Sequence, residues 1–111
     1  LLLSNPHNPT GRCFTRKELQ NIADICLRNE VIIISDEIHN DLILPGNKHI
    51  PMASLSGEIA NITITCIAPS KTFNMAGLAT SSVIISNKKL REEFQKTLNR
   101  FHIHGGNFFG Y

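Results

Sequence analysis

Two apolar runs flank a capped amphipathic helix at the start of this chain, and that spacing narrows the fold more than any other feature. Residues 1–3 are all leucine and end at Ser4-Asn5-Pro6, the pattern of a short buried strand feeding a loop. After Gly11, Thr15 followed three residues later by Glu18 makes a capping box, a helix-start signal. Leu19, Ile22, Ala23, Cys26 and Leu27 then recur at helical spacing and form one apolar face. Residues 31–35, Val-Ile-Ile-Ile-Ser, are β-branched up to the serine and predict a strand buried on both faces, as in a parallel sheet. Strand, helix and strand within roughly 35 residues define a βαβ unit with a right-handed crossover.

Residues 36–58 read as an irregular surface excursion, marked by Pro45-Gly46 and several asparagines. Residues 61–70 predict a third strand that ends at Pro69-Ser70, and residues 81–86 a fourth. Residues 87–100 predict a second amphipathic helix with Leu90, Phe94 and Leu98 on one face. Residues 71–80 alone separate the third and fourth strands, whereas a parallel crossover needs about a dozen or more. That pair is therefore antiparallel or joined unusually. The expected fold class is α/β, with a mostly parallel sheet and one antiparallel strand.

Composition removes several functions. The 111 residues are 41% hydrophobic with a formal net charge of +2, an ordinary globular balance. Lysines and arginines are scattered rather than striped, which argues against nucleic-acid binding. No apolar run approaches the roughly 20 residues of a membrane span. Cys13, Cys26 and Cys66 are odd in number and widely spaced, which points to reduced thiols rather than a disulfide framework. His102 and His104 alternate as on a strand, with no acidic or thiol partner at ligand spacing, so no metal site is expected. A nucleotide-binding domain needs a glycine-rich first loop, and this one offers proline and asparagine instead. The chain begins without Met inside an apolar run and ends with three aromatics in its last four residues. It reads as a piece cut from a longer polypeptide.

If the first three strands run parallel, their C-terminal ends share one edge of the sheet, where open α/β folds bind ligands. The first strand delivers Asn8, the second Asp36 and His39, the third Ser70 and Lys71. Taken singly, a strand-end carboxylate is often a cap, and a lysine is usually a surface charge. Their coincidence at three successive strand ends points to one site. A lysine in a desolvated setting becomes a nucleophile able to form a Schiff base. A buried aspartate holds a ring nitrogen protonated, asparagine and imidazole hydrogen-bond a ring oxygen, and a serine donates to phosphate. That donor set suits pyridoxal 5'-phosphate, an electron sink for carbanions.

The ordered motifs NPHNPTG, SDEIHNDL and APSKTFNMAGLA resemble the fold-type-I pyridoxal-phosphate enzymes, the aspartate-aminotransferase superfamily. SDEIH, PSKTFNMAGL and the FHIHG…FGY tail are most similar to its cystathionine β-lyase or C–S lyase branch, of the MalY/PatB type. The resemblance covers essentially the whole chain. It implies that residues 1–111 are a fragment of the large domain, a three-layer α/β/α unit, with the N-terminal part, the small domain and the C-terminus absent. It implies Lys71 as the Schiff-base lysine and proton shuttle, Asp36 on the pyridine nitrogen, and Asn8 on the ring 3-oxygen with a cis Asn8-Pro9 bond. Ser70 would contact the phosphate, and His39 stands where many relatives carry a tyrosine. Ala79 occupies the position of the phosphate-binding arginine of aminotransferases, a departure compatible with the lyase branch. The implied activity is β-elimination of L-cystathionine or L-cysteine by a cytoplasmic homodimer acting on small amino acids. An aminotransferase and a non-catalytic regulatory protein are the alternatives. Relatives bring a phosphate-binding loop and a ring-stacking aromatic from upstream of Leu1, and the carboxylate-gripping arginine from downstream of Tyr111. The isolated 111-residue piece is therefore expected to be inactive.

Overall fold

The computed structural model describes residues 1–78 and 80–103. Four strands, β1 (Leu2–Ser4), β2 (Ile33–Asp36), β3 (Thr63–Ile67) and β4 (Ser82–Ile85), form one sheet in the order β1-β2-β3-β4. The first two pairings are parallel and the third is antiparallel, so the short 71–80 connection does what its length dictates. Register sets Ser4 beside Asp36 and Asp36 beside Cys66, which aligns the C-terminal ends of β1, β2 and β3.

Helix α1 (Arg16–Arg28) starts at the expected capping box. The Thr15 side chain accepts from the Glu18 amide, and the Glu18 carboxylate accepts from the Thr15 N–H at 2.8 Å. Its Leu19, Ala23 and Cys26 are buried against Leu3 and Ile33. Met52, in a single 3-10 turn at Met52–Ser54, and Ile59, in the short helix α2 (Gly57–Asn61), complete that core. The full burial of Leu19, Ile33 and Met52 contributes about 1.5–3 kcal/mol each. Ser56 caps α2 through the Ile59 amide at 3.2 Å, so the stretch read as wholly irregular ends in two short helical turns.

The opposite face is treated differently. Helix α4 (Lys88–Arg100), capped by Asn87, lays Phe94 and Leu98 along a cleft with Val83 and Ile85. Helices thus lie on both faces, giving α/β/α layering. Yet α4 lies mainly over the β4 side, with Leu90 and Glu93 reaching a cleft beside Ile32. Leu2 and Ile34 share the face of Ile85 by register and stay exposed, at 73% and 40%. The expectation that β2 is buried on both faces is therefore corrected: Ile33 and Ser35 are buried while Ile32 and Ile34 are not, because the described residues pack the α1 side of this strand more fully than the other. His102 also departs from the expected strand alternation, lying in the turn after α4 with φ of 53°. His104 and the rest of the aromatic tail lie outside the described residues, as does Ala79.

Candidate active site

The loop after β1 is fastened at its root by Asn5, which is completely buried. Its Oδ1 accepts from the Phe14 amide at 3.0 Å, its Nδ2 donates to the Ile50 carbonyl at 3.4 Å, and its own N–H donates to the Asp36 carbonyl at 3.0 Å. Ser4 Oγ donates to the Pro6 carbonyl and accepts from the Asn8 amide. The Asn5-Pro6 and Asn8-Pro9 peptide bonds are both cis. Further out, the His7 and Arg12 backbones pair and Gly11 closes the turn at φ of 70°. A side chain at Gly11 would be strained by that φ, and its Cβ would press on Leu44 at 3.2 Å. This folding leaves Asn8 exposed at the loop tip.

The loop after β2 is fastened by Glu37. Ile33, Ser35 and Glu37 alternate onto the buried face, and Glu37 is 2% exposed. Its Oε1 accepts from Ser35 Oγ at 2.8 Å and from the Met52 amide at 3.0 Å, and its Oε2 meets His49 Nε2 at 2.9 Å. Asp36, on the other face, is half-buried, and its Oδ1 accepts from the Ile38 amide at 3.3 Å. Beside it in register, the Cys66 thiol is pushed up from its ordinary pKa, first by burial and then by the charges of Asp36 and Glu37.

Asn8 and His39 face one cleft of about 180 Å³, walled by Pro6, His7, Pro9, Gly11 and Leu42. Two of the sequence-derived residues are thus brought together directly, and Asp36 lies at the foot of both loops through its carbonyl bond to Asn5 and its pairing with Ser4. Ser70 and Lys71 sit in α3 (Pro69–Thr72), the turn after β3, and are not part of the cleft wall. Ser70 is buried; Lys71 is exposed, and its Nζ has no hydrogen bond or ion pair among the described residues. The desolvated setting expected for that lysine is not found among the described residues, where its side chain is exposed. The turn is linked to the second loop by Thr72 Oγ1, which donates to Asp41 Oδ2 at 2.8 Å.

Residue-type reasoning did not single out Asn5, Glu37, His49, Asp41 or Thr72. The signal for Glu37 was present: period-two alternation from Ile33 places it on the core face. Asn5 and Asp41 carried none, because their partners are distant in sequence.

The Aminotransferase class I and II family profile matches residues 1–106, and the chain belongs to that family. It is 49% identical over 108 residues to cystathionine beta-lyase PatB of Bacillus subtilis (strain 168), a match covering 97% of this chain and 28% of that protein. It is 44% identical over 77 residues to kynurenine–oxoglutarate transaminase 3 of Rattus norvegicus, covering 69% of this chain and 17% of that one. Cystalysin from Treponema denticola, whose crystal structure contains pyridoxal 5'-phosphate, superposes with a TM-score of 0.89 at 47% identity. That match covers 97% of this chain and 27% of cystalysin. The chain spans well under a third of each of these relatives.

Proposed function

We propose that residues 1–111 are the central part of the large domain of a pyridoxal-phosphate-dependent C–S β-lyase that cleaves L-cystathionine or L-cysteine to a thiol, pyruvate and ammonia. The observation that carries this is the convergence of three strand-end loops on one sheet edge, with Asn8 and His39 sharing a cleft and Asp36 at its foot. The donor set fits the cofactor. Asn8 offers an exposed amide, Asp36 a carboxylate whose Oδ1 is already oriented by the Ile38 amide, and Lys71 an amine with no competing ion pair among the described residues. Similarity to a cystathionine β-lyase over 97% of the chain, and to a solved structure containing that cofactor, supports the same reading.

When bound, pyridoxal phosphate supplies an electron sink for negative charge developing at the substrate Cα. Lys71 would hold the cofactor through Nζ and would take and return the proton at the substrate Cα. Asp36 provides the carboxylate for the ring nitrogen, and Asn8 the amide for the ring 3-oxygen. His39, from the facing wall, adds an imidazole to the same cleft, and Ser70 would donate to the phosphate. The intact protein is a cytoplasmic homodimer acting on small amino acids, and no described helix is long and apolar enough to cross a membrane.

The test uses the full-length protein. With L-cystathionine and no keto acid, it releases pyruvate and a thiol, and borohydride reduction followed by peptide mapping places the reduced cofactor on Lys71. A requirement for a keto-acid acceptor would favour an aminotransferase, the second reading, which the likeness to a kynurenine transaminase supports. A Lys71→Ala protein that kept a regulatory phenotype would point to a role independent of chemistry. The 111-residue piece alone is expected to turn over neither substrate, and robust turnover by it would overturn the assignment to a fragment.

A further inference from the structure

Lys71 belongs to a short turn held by few bonds, among them Met75 N–H to the Ser70 carbonyl at 2.8 Å. Helix α3 is four residues long, its N-cap Ala68 makes no side-chain cap bond, and Pro69 only presets the first φ. Its backbone closes through Lys71 N–H to the Ala68 carbonyl at 3.0 Å and Phe73 N–H to the Pro69 carbonyl at 2.9 Å. A single helical turn is unstable in water without outside support. Support reaches it from 31 residues away, where Asp41 accepts the Thr72 hydroxyl at 2.8 Å. A hydrogen bond to a carboxylate is stronger than one between neutral groups.

Asp41 is itself held by a series of bonds with a buried origin. Asn40 N–H donates to the Glu37 carbonyl and Leu42 N–H to the His39 carbonyl, each at 2.9 Å, which winds residues 37–42 into two consecutive turns. At their root the Glu37 carboxylate is locked by Ser35, His49 and the Met52 amide. A rigid path thus runs from the core, through the second loop, to the residue next to Lys71.

We propose that Asp41 is a positioning residue for Lys71, acting through the Thr72 hydroxyl. This rests on the reading of Lys71 as the cofactor-holding lysine. Loss of the bond leaves the fold intact, since Asp41 is exposed and Thr72 only half-buried, but frees the turn that aims the lysine.

The experiment compares Thr72→Val, Thr72→Ser, Asp41→Ala and the Asp41→Ala/Thr72→Val double variant in the full-length holoenzyme. Thr72→Val and Asp41→Ala are expected to lower kcat about three- to tenfold with KM nearly unchanged. Both move the midpoint of the pH titration of the bound cofactor's visible absorbance. Both also speed amide hydrogen exchange across residues 69–75 in the cofactor-free protein. The double variant is no worse than either single one, and Thr72→Ser restores wild-type behaviour. Unchanged titration and exchange in Thr72→Val, or a Thr72→Ser protein as impaired as Thr72→Val, would overturn the proposal. Borohydride mapping on the wild type separates the two failures. Label on Lys71 with indifferent variants sinks the role of Asp41 alone, whereas label elsewhere sinks the functional reading with it.

Discussion

The two loops that form the cleft and the turn that carries Lys71 are anchored in opposite ways. The loops after β1 and β2 are rooted in side chains taken almost fully out of water, Asn5 and Glu37, each spending its polar atoms on several main-chain or side-chain partners, some of them far away in sequence. The turn after β3 is tied to its neighbour by the exposed Thr72–Asp41 bond. Buried polar anchors are costly to disturb, because an orphaned partner cannot turn to water. An exposed one is replaced by solvent with little loss. The same sheet edge therefore joins two loops rooted in the core to a turn tied to its neighbour at the surface.

The strongest way to break that contrast is at Glu37. Replacing it with Ala strands the Met52 N–H, the Ser35 hydroxyl and His49 together, and is expected to cost about 2–4 kcal/mol. The readout is a lowered urea midpoint of the cofactor-free full-length protein. Asn5→Ala removes two side-chain bonds rather than three and is expected to cost about 1–3 kcal/mol, by the same measurement. Thr72→Val is expected to stay within about 0.5 kcal/mol of wild type while still perturbing the cofactor titration. If Thr72→Val destabilises as much as Glu37→Ala, the two anchorages do not differ.

What could be read from the chain divides along the same line. The βαβ unit, the capping box at Thr15 and the antiparallel fourth strand follow from local patterns: periodicity, cap chemistry and connection length. Those depend on neighbours in sequence and survive in any context. The three loops were also found from their residue types, because Asn8, Asp36, His39, Ser70 and Lys71 announce chemistry. Their supports did not announce themselves. Asn5 looks like one more turn residue, and Asp41 like one more surface acid, until partners 31 to 45 residues distant are brought beside them. The exposure of Ile34 and Lys71 was illegible for a different reason. Residue type alone does not say which face a neighbouring element covers, and among the described residues both side chains are exposed.

The smallest expected effect tests the charge that Asp36 places beside β3. Register sets it beside Cys66, and the Cys66 thiol is raised mainly by burial, with Asp36 the larger of two charge contributions. A raised thiol pKa means less thiolate, the nucleophilic form, at any pH below it. Neutralising Asp36 removes a negative charge, lowers that pKa and increases the thiolate fraction. Asp36→Asn is therefore expected to speed iodoacetamide alkylation of Cys66 at pH 8 by about two- to threefold in the cofactor-free protein. Burial, the larger cause, is untouched by the substitution, so the variant still reacts more slowly than a fully exposed cysteine. The gain also shrinks with added salt to the extent that solvent screens the pair. An unchanged rate would mean that the Asp36 carboxylate exerts no appreciable field on the Cys66 thiol.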